Sequence, residues 1–197
     1  MRREDEQVIY FATGHLWSCP QSPPWYGFGN TPVTNQSIDC LRLNVYVPRT
    51  MNPKTPRAVM VFIHGGEYLY GQGMRYDGSL LAVHGHVVVV TINYRIGAYG
   101  FLSTNDSVLP GNLGLWDQLL ALKWVKDNIA AFGGDSNRIT VFGSGAGAYS
   151  IGMQLLYENN TGLFQRAILQ SGVAFSPLGL VHYPLEFAKK FAVALDC

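Results

Sequence analysis

The chain has 197 residues, of which 48% are hydrophobic and 14% are charged, and this composition is that of a globular domain with a substantial core. Its formal net charge of +1 gives no electrostatic reason to expect nucleic acid or an anionic membrane as a partner. No apolar run approaches the roughly 18 residues of a membrane span, and the N-terminus, which mixes acidic with basic residues, is not a secretory signal.

The first part of the chain is irregular. Residues 1–11 show no clear structural signal, and residues 17–37 are so rich in proline, glycine and aromatic side chains that they predict a long, ordered loop. A bond between Cys19 and Cys40 could close that loop and stabilise the fold by roughly 3 kcal/mol. The odd total of 3 cysteines leaves unrelated thiols as the alternative.

Strands and helices alternate along the rest of the chain. Apolar runs and period-two alternation predict strands, and apolar residues at three- and four-residue spacing predict helices, most clearly in the segment Leu115 to Ala131. The predicted strands are 41–47, 58–63, 87–93, 139–142 and 167–169, and the predicted helices are 78–85, 115–131, 146–156 and 184–196.

This alternation predicts an α/β fold with a mostly parallel sheet, helices on both faces and right-handed crossovers. Sites in such folds usually lie at the carboxyl ends of the strands. Two glycine-rich turns are predicted there, one after the strand that ends at Ile63 and one after the strand that ends at Phe142.

The second of these turns is almost a nucleophile elbow. Gly143, Ser144, Gly145, Ala146 and Gly147 follow a strand and precede a helix, as in the G-x-S-x-G motif of hydrolases. An elbow presents only its central residue to a substrate, and that residue is Gly145, which has no side chain. Ser144 stands one position early, so we interpret its hydroxyl as a turn group and expect no catalytic nucleophile.

The first turn, His64, Gly65, Gly66 and Glu67, occupies the place of the HGGG loop that supplies oxyanion donors. Glu67 stands at the third glycine position, and a carboxylate there would repel an oxyanion unless it pointed away. We therefore interpret this turn as a retained shape and expect no oxyanion chemistry.

The partners that a catalytic triad would need are also unconvincing. In this type of fold the acid and the histidine follow the nucleophile. After Gly145 the chain offers the histidine His182 and the acids Glu158, Glu186 and Asp196, none of them in a recognisable motif. His84 and His86 lack further ligands nearby, so we expect no metal and no cofactor.

Several segments together resemble the type-B carboxylesterase/cholinesterase-like family: SIDCLRLNVYVP, VMVFIHGGEY, VVVVTINYRIGAYGFLST, GNLGLWDQLLALKWVKDNIAAFGGDSNRITVFGSGAG and GLFQRAILQSG. The resemblance covers residues 12–197 and implies the α/β-hydrolase fold. Active members carry a serine at the position of Gly145. The GSGAG turn, with the non-glycine after HGG, looks most like the neuroligins, which are non-catalytic adhesion proteins of this family that bind neurexins.

That resemblance implies an adhesion protein on the extracellular side of the plasma membrane. It implies a neurexin-type cell-surface partner that binds mostly through regions outside this chain. It also implies that full-length relatives dimerise and are membrane-anchored. It also implies a Cys19–Cys40 disulfide and a partner for Cys197 beyond the chain, a buried ion pair between Arg95 and Asp117, and N-glycosylation. The sequons available for glycosylation are Asn35, Asn105 and Asn159.

We expect the chain to be the N-terminal part of one such domain, incomplete at both ends, with residues 1–11 unassigned. Such a piece would leave open sheet edges and would not fold stably alone. The alternatives are an ester hydrolase of the same family that acts through Ser144, and another inactive adhesion relative of the gliotactin or neurotactin type.

Overall fold

The computed structural model describes residues 8–9, 17–21, 35–48 and 55–196, and these contain a 6-stranded sheet. Cys197 and most of residues 1–11 lie outside the described residues. The strands stand in the order β1-β2-β4-β3-β5-β6. They are β1 (Val8–Ile9), β2 (Leu43–Pro48), β3 (Arg57–Ile63), β4 (Val88–Ile92), β5 (Gly134–Ser144) and β6 (Arg166–Gln170).

Parallel pairing dominates on one side of the sheet. Strands β4, β3, β5 and β6 are parallel neighbours, whereas β2 pairs antiparallel with both β1 and β4. The predicted α/β class with a mostly parallel sheet is confirmed, with an antiparallel edge at β1 and β2. The parallel strands place the ends of β3 and β5 beside each other, with Ile63 in register with Gly143.

Helices cover both faces of this sheet, as predicted. The helices are α1 (Ser79–Gly85), α2 (Gly97–Phe101), α3 (Leu113–Asn128), α4 (Ala146–Leu156) and α5 (Pro184–Ala194), the last of which has no buried residue. Alternate residues of β4 show the two faces: Val89 packs with Ala82 of α1, whereas Val88 and Val90 belong to the larger core that includes Leu122 of α3. Because β4 is buried on both faces, it reads in the sequence as a continuous apolar run.

The structure differs from the predicted elements at several boundaries. Strand β5 begins at Gly134 instead of Ile139, because residues 135–138 form an irregularity in the pairing with β3 and not a loop outside the sheet. Helix α3 ends at Asn128 and is followed by a 3-10 turn that runs to Phe132. The next residue, Gly133, has a left-handed φ of 72°. Helix α2 and strand β1 were not predicted.

The N-terminal segment is attached to the sheet through a disulfide and a buried amide. Cys19 and Cys40 are joined by a disulfide, and both are buried. The Asn93 side chain, just after β4, donates to the carbonyls of Trp17 and Cys40 and accepts from the Gly73 N–H. These contacts connect the disulfide to the segment that follows the HGG turn.

Candidate functional site: a nucleophile elbow without a side chain

The elbow predicted from the sequence is present in the structure. Strand β5 ends at Ser144, helix α4 begins at Ala146, and Gly145 between them has φ 57° and ψ −119°. This is a backbone conformation that residues with a side chain adopt at a cost. The Gly145 N–H donates to the Gln170 carbonyl at 2.9 Å, which ties the apex of the turn to the end of β6.

Space at the apex is open. A Cβ atom added to Gly145 would meet nothing within 4 Å among the described residues. The packing of the described residues therefore leaves room for a side chain at this position. Glycine suits the backbone conformation at this position, but no steric clash among the described residues excludes a larger residue.

The flanking glycines are different, because packing does require them. A Cβ on Gly143 would lie 2.6 Å from the Ile63 carbonyl oxygen, and a Cβ on Gly147 would lie 2.1 Å from the same atom. A Cβ on Gly65 would lie 2.3 Å from the Ser144 carbonyl oxygen. The end of β3 and the elbow are thus in direct backbone contact, and only glycine allows it.

The two glycine-rich turns therefore meet, as the parallel sheet predicted. The first N–H groups of α4 have no partner within the helix, and the Ala146 nitrogen lies 3.7 Å from where a Gly65 Cβ would be. In the other turn Gly66 has φ 108° and Glu67 has φ 57°, and the Glu67 side chain is exposed. The two turns thus lie against each other, and the third position after His64 holds Glu67 instead of glycine.

His64 supports this frame from inside the core. Its side chain is buried and stacks on the Tyr94 ring with centroids 4.4 Å apart, and the Tyr94 hydroxyl donates to the His64 carbonyl at 2.7 Å. His64 Nδ1 is 2.9 Å from the Gly65 carbonyl oxygen, while Nε2 is buried without a partner among the described residues. Burial lowers the pKa of His64 to about 4, so the ring is neutral at physiological pH.

A buried polar network lies between the HGG turn and helix α4. The Gln118 amide donates to the Ser150 hydroxyl at 3.0 Å, and Ser150 is 3.2 Å from the Tyr68 hydroxyl. Burial raises the pKa of Tyr68. None of these three residues was predicted from the sequence to form a network, since contacts between separate elements leave no local pattern. The polar glutamine within the apolar face of α3 was the available signal.

The candidate triad residues lie apart from the elbow in the part of the chain that the structure describes. Ser144 is the exposed last residue of β5, and His182 is exposed in the segment before α5. Across the part of the chain that the structure describes, no hydrogen bond joins His182 to the elbow. The acidic residues after Gly145 are exposed as well, namely Glu158, Glu186 and Asp196.

Arg95 and Asp117 form the ion pair that the resemblance implied. Asp117 accepts three hydrogen bonds from Arg95, from the backbone N–H at 3.0 Å, from Nε at 2.7 Å and from a terminal guanidinium nitrogen at 2.6 Å. The Asp117 side chain is 4% exposed and that of Arg95 is 33% exposed. The pair connects the segment after β4 to helix α3 and does not contact the elbow directly.

The remaining candidate residues lie on the surface. Asn35, Asn105 and Asn159 are all exposed, and so are His84 and His86. Among the described residues, no three metal-binding side chains come together. None of the helices in the described ranges combines the length and apolarity needed to cross a membrane.

Comparisons with known proteins agree with this geometry. The chain is 47% identical to Neuroligin-2 of Mus musculus, covering 85% of this chain and 22% of that protein. It is 50% identical to Bile salt-activated lipase of Rattus norvegicus, covering 81% of this chain and 28% of that protein. A solved thermophylic PNB esterase matches with a TM-score of 0.80 and 42% identity, over 91% of this chain and 37% of that one.

The chain therefore spans less than a third of the length of these curated relatives. Its resemblance to the neuroligins, predicted from the glycine motifs, is confirmed, and the α/β-hydrolase fold is confirmed by the esterase structure. The model of the Carboxylesterase family matches residues 7–197. This chain belongs to the Carboxylesterase family.

Proposed function

We propose that this chain is part of a non-catalytic, cholinesterase-like extracellular domain that acts in cell adhesion through a neurexin-type partner. The observation that carries the proposal is Gly145. The elbow keeps its strand, its turn and its helix, but its apex has no atom that could attack an ester. A covalent hydrolase mechanism requires such a nucleophile.

Sequence identity alone does not decide between adhesion and hydrolysis. Neuroligin-2 and Bile salt-activated lipase are similar to this chain to almost the same degree. Two local features favour adhesion. The apex of the elbow is glycine, and Glu67 replaces the third glycine of the oxyanion loop.

The absence of catalysis is tested by labelling the full-length protein with a fluorophosphonate, which reacts with activated serines. We expect no label on any serine of this chain, whereas Bile salt-activated lipase, treated in parallel, should be labelled. The matched variant Gly145→Ser restores a hydroxyl at the apex, where space is open. Label on the unmodified protein at a serine of this chain would refute the proposal.

The adhesion role is tested separately. The full-length protein, displayed on cells, should bind a soluble neurexin-type ectodomain, and Gly145→Ser should bind it equally well because the elbow is not the contact surface. Binding that is absent at saturating concentration would exclude a neurexin-type partner. It would leave the other inactive relatives of the family, the gliotactin and neurotactin types, as the better assignment.

The second candidate is an esterase that uses Ser144. Its support is the intact elbow backbone together with the 50% identity to Bile salt-activated lipase. Hydrolysis of a p-nitrophenyl ester by the full-length protein that disappears in Ser144→Ala would establish it. Equal rates for the two proteins would eliminate it.

A further inference from the structure

We propose that Asn159 carries an N-linked glycan whose first N-acetylglucosamine packs on the aromatic surface formed by Tyr157 and Trp116. The proposal rests on the extracellular location proposed above, because N-glycosylation occurs in the secretory pathway. It goes further by selecting one asparagine among the sequons and by naming the surface that its sugar covers.

The local sequence brings an aromatic ring to the acceptor. Tyr157, Asn159 and Thr161 are spaced two residues apart, so an aromatic side chain precedes the sequon Asn159-Asn160-Thr161. The short 3-10 turn Glu158–Asn160 folds this segment back on itself. As a result Asn159 Nδ2, the atom to which a sugar would be attached, lies 2.8 Å from the Tyr157 hydroxyl.

Contacts made by the residues after Asn159 hold this turn in place. The Thr161 hydroxyl donates to the Glu158 carbonyl at 2.7 Å, and the buried Asn160 amide donates to the backbone and side-chain oxygens of Gln154. Asn159 itself is exposed. The acceptor is therefore accessible on a structured turn, and a sugar attached to it has a defined direction of departure.

The surface beside the turn has the chemistry of a sugar-binding platform. Tyr157 and Trp116 meet edge to face with centroids 5.6 Å apart, and they are 37% and 50% exposed. Both line a groove of about 200 Å³ with the apolar side chains of Leu119 and Met153. A pyranose ring presents C–H bonds on one face, and these pack favourably on the electron-rich face of an aromatic ring.

Asn105 lacks this combination. Asn105 lies in an exposed turn organised by the Asp106 carboxylate, which accepts from the Thr104 hydroxyl and from the Val108 N–H. No aromatic side chain contacts Asn105 among the described residues. Between Asn159 and Asn105, the structure therefore favours Asn159 as the site where attachment of a sugar also covers exposed apolar surface.

The test uses the full-length protein secreted from animal cells. Mass spectrometry of glycopeptides should show high occupancy at Asn159. After trimming to a single N-acetylglucosamine, the thermal midpoint should lie roughly 2–4 °C above that of the enzymatically deglycosylated protein, the shift expected for a contact of aromatic type. Trp116→Ala should reduce this glycan-dependent shift to within error.

Two matched variants separate the glycan from the turn. Asn159→Gln removes the site of sugar attachment, whereas Thr161→Ser keeps the sequon and a hydroxyl that can donate to the Glu158 carbonyl. Only Asn159→Gln should lose the glycan-dependent shift in the thermal midpoint. An unoccupied Asn159, or an equal glycan-dependent shift in Trp116→Ala, would overturn the inference. Occupancy confined to other sequons would overturn it while leaving the extracellular location intact, and fluorophosphonate labelling would bear only on the proposed function.

Discussion

The sharpest prediction compares the two glycines Gly145 and Gly147, which look interchangeable in the motif but differ in their surroundings. We expect Gly147→Ala to be much more destabilising than Gly145→Ala. An alanine methyl at Gly147 would lie 2.1 Å from the Ile63 carbonyl oxygen, and neither atom can move by rotating a side chain. An alanine methyl at Gly145 would meet nothing within 4 Å of the described structure.

The magnitudes follow from these contacts. At Gly145 the cost is the backbone strain of φ 57°, about 1–3 kcal/mol, less about 0.4–1 kcal/mol because alanine restricts the unfolded chain. At Gly147 the same gain is outweighed because α4 must move away from β3. Overpacking typically costs about 1–3 kcal/mol, and we take the upper end, about 3 kcal/mol, because the methyl would clash with a backbone atom. Because the gain from the unfolded chain cancels in the comparison, we expect Gly147→Ala to lose up to about 2 kcal/mol more stability than Gly145→Ala.

The assay is urea unfolding of the full-length protein and both variants, followed by circular dichroism, with the free energy of unfolding extrapolated to water. The slopes with urea should agree among the three proteins, so that the midpoints report stability. If Gly147→Ala were as mild as Gly145→Ala, the inferred backbone contact between α4 and β3 would be wrong.

Three further predictions concern elements around the site. The pKa of His64 is lowered from 6.5 to about 4 in the folded protein, so between these pH values the unfolded chain binds more protons than the folded one. The free energy of unfolding should therefore fall as the pH drops from about 6.5 towards 4, by at most about 1.4 kcal/mol per pH unit. Asp117→Asn should lower the free energy of unfolding by about 3 kcal/mol, since it removes the charge that compensates a partly buried guanidinium. Asp135→Asn, in a more exposed pair, should have a much smaller effect on the free energy of unfolding. Replacing Cys19 and Cys40 together by serine should cost about 3 kcal/mol in urea unfolding, because their bond closes a loop with a sequence separation of 21.

Each of these predictions has a result that would contradict it. A His64→Gln protein whose stability depends on pH as steeply as the original would show that another group titrates. Equal losses in Asp117→Asn and Asp135→Asn would mean that burial of the first pair does not matter. An unchanged midpoint in the double serine protein would show that the buried disulfide does not constrain the unfolded chain.

Much of the site could be predicted from sequence because it depends on strand direction. Runs of apolar residues located β3 and β5, and parallel pairing then placed the turns after Ile63 and Phe142 side by side. Both turns are local patterns with glycines at fixed spacing, which is the kind of signal that a single sequence carries well.

The parts that could not be predicted depend on contacts between distant segments. The buried network of Gln118, Ser150 and Tyr68 joins residues 32 and 82 positions apart, and no local spacing reports it. The early start of β5 was missed because residues 135–138 are polar, as in a loop. There the Asp135 carboxylate accepts from the Asn137 N–H and from Arg138 while the chain stays beside β3.

The geometry also explains why the family resemblance alone is ambiguous about function. Gly143, Gly147 and Gly65 are required by backbone contacts between β3, β5 and α4, so this packing needs them whether or not the protein catalyses a reaction. Gly145 is the exception, because the described structure leaves space for a side chain there. The packing therefore does not fix which residue stands at the apex. That residue carries information about catalysis that the surrounding glycines do not. For a chain about equally similar to Neuroligin-2 and to Bile salt-activated lipase, our proposal therefore rests on one residue, and Gly145→Ser changes that residue without disturbing the contacts of the flanking glycines.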